Sequence, residues 1–160
     1  MEEKKQIKFL CVDGSKHSDL AFEWFCKHVY HEGDRVGVIH VHVLPDLPSF
    51  GMYAGGYVVT DIYQETVQQS IDESKKTVKK YRDLFREKDI TAEIFIESMA
   101  DSVGHTICKI AEKEKGLLLV VGQRGLGLVR RTLFGSVSDY LIHHAKMPVM
   151  IVPTFEEDEK

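Results

Sequence analysis

Apolar residues in this chain fall into two kinds of segment that alternate along its length. Short β-type runs cover Ile7 to Val12, Val36 to Leu44, Thr91 to Ile96, Leu117 to Val121 and Pro148 to Val152. Between them lie longer stretches whose apolar positions recur every three or four residues, the period of a helix with one buried stripe. The first helical stretch runs from about Asp19 to Tyr30, with Leu20, Trp24 and Val29 as its expected inward stripe. A long helix follows the second strand. Its stripe, Val67, Ile71, Ser74, Val78, Tyr81 and Phe85, alternates steps of four and three, and KKTVKKYRD marks the wet face around it. Asp101 is the expected N-cap of a third helix carrying Val103, Ile107, Ile110 and Ala111. Ser136 to Lys146 forms the last helix. Pro45 to Thr60, with two prolines and three glycines, is the one long loop expected.

The resulting order, βαβαβαβαβ, implies parallel strands joined by right-handed crossovers in a single doubly wound α/β domain. Leu117 to Val121 is apolar at successive positions, as a strand buried on both faces requires. In such a sheet a ligand binds beyond the strand C-termini, where the crossovers diverge. Asp13, the segment after Val41 and the segment after Gly122 all belong to that edge.

Composition narrows the class. With 43% hydrophobic and 29% charged residues, the 160-residue chain is an ordinary globular domain. The net charge of −4 is uneven. Glu156 to Lys160 holds four acids and one lysine, leaving about −1 for the rest. We therefore expect a domain over residues 1–155 and a short acidic flexible tail over 156–160. A near-neutral body lacks the basic excess of a duplex-binding domain, so no nucleic acid partner is expected. No run approaches the roughly 20 apolar residues of a membrane span, and MEEKKQIKF lacks the apolar core of a secretory signal. Cys11, Cys26 and Cys108 are odd in number and widely spaced, so reduced thiols and a cytoplasmic location are expected.

The chemistry concentrates in VVGQRGLGLVRRTLFGSVSDYL. Gly122, Gly125 and Gly135-Ser136 are spaced G-x2-G-x9-G-S, between a strand exit and a helix entry. Glycine admits close backbone approach and positive φ, and free amides at a helix start bind anions. Taken singly, Gly122 and Gly125 read as turn residues and Gly135 as a helix start; together, with Ser136 and Ser138, they describe a polyphosphate site. It is not a P-loop, which needs G-x4-G-K-[ST]. Nor is it a dinucleotide fingerprint, which belongs after the first strand. Arg124, Arg130 and Arg131 can pair with phosphate oxygens or line a solvated face. Asp13, before Gly14-Ser15, is either a turn residue or the carboxylate that joins a phosphate-bound Mg²⁺.

These residues resemble those of the universal stress protein family, in its ATP-binding form with G-x2-G-x9-G-[ST]. FLCVDGSKHSDLA is similar to the family's first strand and loop, VIHVHV to its second strand, and GSVSDYLIHHAKMPVMIV to its closing helix and strand. The likeness spans residues 5 to 153. It implies a Rossmann-like, adenine nucleotide alpha hydrolase-like fold with a five-stranded parallel sheet in the order 3-2-1-4-5. It implies ATP as ligand, with Mg²⁺. By the same likeness Asp13 lies near the ribose and any metal, and Val41 meets adenine through its backbone. Gly122 borders the ribose, and Gly125, Gly135, Ser136, Val137 and Ser138 hold the phosphates. It further implies a homodimer through the last strand, Val149 to Val152, an apolar sheet edge that needs a cover.

Other chemistries fit less well. His40 and His42 share one strand face and His143-His144 are adjacent, but no Cys or carboxylate spacing completes a zinc site. No G-x-S-x-G nucleophile elbow occurs. A phosphate-receiver domain needs an acidic cluster after the first strand and a phosphoacceptor Asp after the third; here the first ends in Asp13 alone and the third in IESMAD. Fast phosphoryl transfer needs a metal, a positioned nucleophile and charge stabilisers together, and no catalytic base is evident. The expected function is a regulatory, stress-response protein working through nucleotide occupancy and dimerisation. The alternative is a slow ATP-hydrolysing enzyme or a nucleotidyl transferase.

Overall fold

The structure is a computed structural model that describes residues 5–46, 56–123 and 136–154. Five parallel strands form one sheet in the order β3-β2-β1-β4-β5. They are β1 (Ile7–Cys11), β2 (Arg35–His42), β3 (Ala92–Ser98), β4 (Gly116–Gly122) and β5 (Val149–Val152). Helices α1 (Lys16–Trp24), α2 (Gly56–Glu87), α3 (Val103–Lys113) and α4 (Ser136–His144) supply the crossovers. Central β1 pairs with both neighbours, Cys11 lying beside Ile39 of β2 and Val121 of β4, with one register shift against β4 between Ile7 and Lys8.

Alternation along the strands sorts the core into two halves. Leu10, Val36, Val38, Val120 and Val152 pack with Phe22, Phe25, Tyr81 and Phe85 of the α1 and α2 side. Phe9, Cys11, Ile39, Val41, Leu119 and Val121 pack with Ile107, Ile110 and Leu141 of the α3 and α4 side. Phe22 and Phe85 meet edge to face, with centroids 4.8 Å apart, the arrangement aromatic quadrupoles favour.

Several local expectations are corrected. The first helix begins earlier, at Lys16, because Ser15 caps it by accepting from the Ser18 amide. After Trp24 it widens into a π-helical turn, Phe25–Val29. That start and the wider turn direct Ser18, Ala21, Phe22, Phe25 and Val29 inward. Leu20 and Trp24 are thereby turned outward, 44% and 38% exposed, contrary to the inward stripe expected of them. The cap of α3 is Ser102, whose hydroxyl accepts from the His105 amide, and not Asp101. The expected loop is shorter than Pro45 to Thr60, since α2 begins at Gly56. In β4 only the middle is buried; Leu117 is 41% exposed near the strand start. Val78, Tyr81 and Phe85 of the long helix are buried as the period requires. Among the described residues no helix is long and apolar enough to cross a membrane.

Candidate functional site

One crevice of about 700 Å³, counting its open mouth, lies at the C-terminal edge of the sheet. It sits where the connection from β1 leads one way to β2 and β4 lies on the other side, the switch point of a doubly wound sheet. Cys11 and Val12 with Ile39, Val41 and Val121 supply an apolar floor, and Val103 and Ile107 of α3 add a wall. Asp13, Ser15, His17 and Ser18 line one rim, and Gly122, Val137 and Ser138 complete the lining from β4 and α4.

The β1–α1 turn holds the polar rim rigidly. Gly14 takes φ +84°, and a Cβ there would crowd Thr77 of α2. The Asp13 carboxylate accepts from the Ser15 amide at 3.0 Å and from the Ser18 hydroxyl at 2.7 Å. The Ser18 hydroxyl in turn accepts from the Asp13 amide at 2.9 Å. Asp13 is thus a turn-forming residue and also a residue of the crevice; the two readings of it are compatible. Beneath this turn the His40 ring bonds the Val12 carbonyl at 2.9 Å. A carbonyl only accepts, so Nδ1 of His40 carries the proton and Nε2 accepts from Ser74 on α2, 3.1 Å away. In His42 the order is reversed: Ser70 donates to the Val67 carbonyl, so its oxygen accepts from Nε2 of His42. Both histidines are buried core residues.

Among the described residues no group of three or more His, Cys, Asp or Glu is placed to hold a metal. Among the described residues Asp13 is the one carboxylate lining the crevice. A single carboxylate fits a Mg²⁺ that arrives on a polyphosphate, since that ion takes most of its ligands from phosphate and water. All three cysteines are free. Burial pushes the Cys11 thiol far up, reinforced by Cys108, so the crevice floor presents a neutral thiol.

Of the site residues expected from sequence, Asp13, Val41, Gly122, Val137 and Ser138 line this one crevice. Ser138 is buried, whereas Ser136 opens α4 with its side chain exposed and is not part of the lining. Gly125, Gly135, Arg124, Arg130 and Arg131 lie outside the described residues, as does the tail 156–160. Gly122 has a role the motif does not convey. A Cβ there would stand 2.7 Å from the carbonyl carbon of His17, with the carbonyl oxygen closer still. Its missing side chain lets the first turn of α1 rest against the end of β4. Ser15, His17 and Ser18 were missed as lining residues; the DGSKHS run contains them, but only this helix-to-strand contact brings them to the crevice.

A doubly wound parallel sheet with a crevice at its switch point defines a Rossmann-like α/β domain. The sequence matches the universal stress protein family over residues 9–153, and the chain belongs to that family. It is 29% identical over 143 residues to a universal stress protein of Mycolicibacterium smegmatis, covering 88% of this chain and 46% of that protein. The chain thus spans about half the length of that relative. The solved structure of hypothetical protein MJ0577 superposes with a TM-score of 0.76 at 19% identity, covering 96% of this chain and 98% of that one. A universal stress protein family protein of Arabidopsis thaliana, solved with AMP bound, superposes with a TM-score of 0.64 at 20% identity, covering 97% and 95%. At such identities the structural likeness establishes the shared fold.

Proposed function

We propose that this protein binds an adenine nucleotide, ATP with Mg²⁺, in the switch-point crevice and acts as a regulatory stress-response module. The convergence of Asp13, Val41, Gly122, Val137 and Ser138 on one crevice carries the reading. An apolar floor suits a purine and ribose, and the N-terminus of α4 suits phosphate. The AMP-bound Arabidopsis relative supports an adenine nucleotide as the class of ligand. In this reading Asp13 meets the ribose and the Mg²⁺, and Val41 meets adenine. Gly122 borders the ribose, while Gly125, Gly135, Ser136, Val137 and Ser138 hold the phosphates.

The signal passes through assembly: β5 is a sheet edge, and Val149 to Val152 pair with the same strand of a second copy to form a homodimer. Three free thiols support a reducing, cytoplasmic setting. Calorimetric titration with ATP, ADP and AMP, with and without Mg²⁺, tests the ligand. Binding by the wild type and its loss in the Gly125→Ala, Ser136→Ala double variant is the expected result; no wild-type binding overturns it. Sedimentation at micromolar concentration showing only monomer overturns the dimer. Single-turnover hydrolysis above about 1 s⁻¹, an ordinary enzyme rate, would favour the enzyme reading instead.

A further inference from the structure

We infer that His17 is a positioning residue that clasps the crevice wall to the end of edge strand β5, so that ligand contact in the crevice is felt at that edge. This inference rests on the proposed nucleotide site and extends it to the route by which occupancy reaches β5. His17 lies in the first turn of α1, lines the crevice and packs its backbone against Gly122. Its ring nitrogen Nδ1 bonds the Thr154 hydroxyl at 2.8 Å across 137 residues of sequence. Thr154 follows β5 by two residues, and its hydroxyl reaches the Gln123 carbonyl at 3.4 Å. The Gln123 amide donates to the Val152 carbonyl at 2.8 Å, extending the β4–β5 ladder one step past Gly122.

The Thr154 hydroxyl stands between the two groups, 2.8 Å from Nδ1 of His17 and 3.4 Å from the Gln123 carbonyl. Three chain segments, the start of α1, the exit of β4 and the exit of β5, therefore meet at one side chain. Two of the three line the crevice, and the third ends the sheet edge. Coupling between sites needs a contiguous packed or hydrogen-bonded connection, and this clasp supplies one. By linkage, whatever factor a nucleotide contributes to edge pairing is returned by edge pairing to nucleotide affinity.

Thr154 lies outside the crevice lining, so Thr154→Val removes the hydroxyl at nearly constant shape and leaves the ligand contacts in place. Residue-resolved amide exchange on the full chain, with and without Mg²⁺ and ATP, reads the outcome. Without nucleotide, Thr154→Val should raise exchange at the Gln123 amide at least threefold, and Thr154→Ser, which keeps the hydroxyl, should restore the wild-type rate. With ATP, protection in the wild type should extend from residues 13–18 and 136–138 to 149–154, and in Thr154→Val it should stop short of 149–154. Wild-type exchange at Gln123 in Thr154→Val, or ATP protection reaching β5 undiminished in that variant, overturns the inference. The nucleotide-free arm judges the clasp by itself, whereas failure of ATP to protect residues 13–18 in the wild type counts against the nucleotide site.

Discussion

Gly122→Ala separates two explanations of a motif glycine, close approach of ligand and close approach of backbone. The new Cβ would lie 2.7 Å from the His17 carbonyl carbon and 3.1 Å from its Cβ, where 3.4 Å is an ordinary contact. The neighbour is helix backbone and its carbonyl oxygen lies nearer still, so relief requires α1 and β4 to part by more than about 0.7 Å, and overpacking of this kind costs about 1–3 kcal/mol. For a domain of this size each kcal/mol lowers Tm by about 2–4 °C. The variant should therefore melt about 2–12 °C below wild type without any nucleotide present. Because Gly122 and His17 both line the crevice, ATP affinity should fall as well. Calorimetric melting of the nucleotide-free protein, followed by ATP titration, is the assay. A variant that melts like wild type, whatever its ATP affinity, refutes the packing argument.

Three further outcomes follow from other contacts. Tyr81, fully buried, donates to Asp19 at 2.7 Å; Tyr81→Phe should cost about 1.5 kcal/mol in urea unfolding, the low end for a bond to a charged group, because Lys80 still pairs with Asp19. Burial pushes the Asp34 carboxyl up, but hydrogen bonds from Lys8 and the His31 amide outweigh it and hold it below the usual value. A carboxyl depressed on folding adds stability above its unfolded pKa and loses it as pH falls through the folded one, so Asp34→Asn should flatten the loss of stability below about pH 4. Burial raises the half-buried Cys26 thiol to about 11, with Lys88 opposing. Its alkylation in the native state should be slow at neutral pH and accelerate up to that value, and a fast reaction at pH 7 would contradict the burial.

Much of the architecture was legible because it depends on local pattern. Short apolar runs alternating with helical stripes permit few solutions other than a wound parallel sheet, and the five observed strands fall within a few residues of the expected ones. The stripe ending in Val78, Tyr81 and Phe85 was readable because a long amphipathic helix repeats its signal many times. The first helix is short and starts three residues earlier than expected, so Leu20 and Trp24 were assigned to the wrong face. The choice between Ser102 and Asp101 as cap turned on a single hydrogen bond between adjacent candidates, which composition does not decide.

The sequence by itself determined the class of fold, the edge of the sheet that holds the crevice and the family to which the chain belongs, since periodicity and motif spacing are local properties. Tertiary structure alone decided what the polar residues at that edge do. Asp13 became part of a turn braced by Ser18, His40 and His42 became buried partners of α2, and Gly122 became the seat of the α1 backbone. His17 met Thr154 from the far end of the chain. Each outcome depends on groups distant in sequence arriving within hydrogen-bond or van der Waals range, and only the packed sheet with its helices sets those distances.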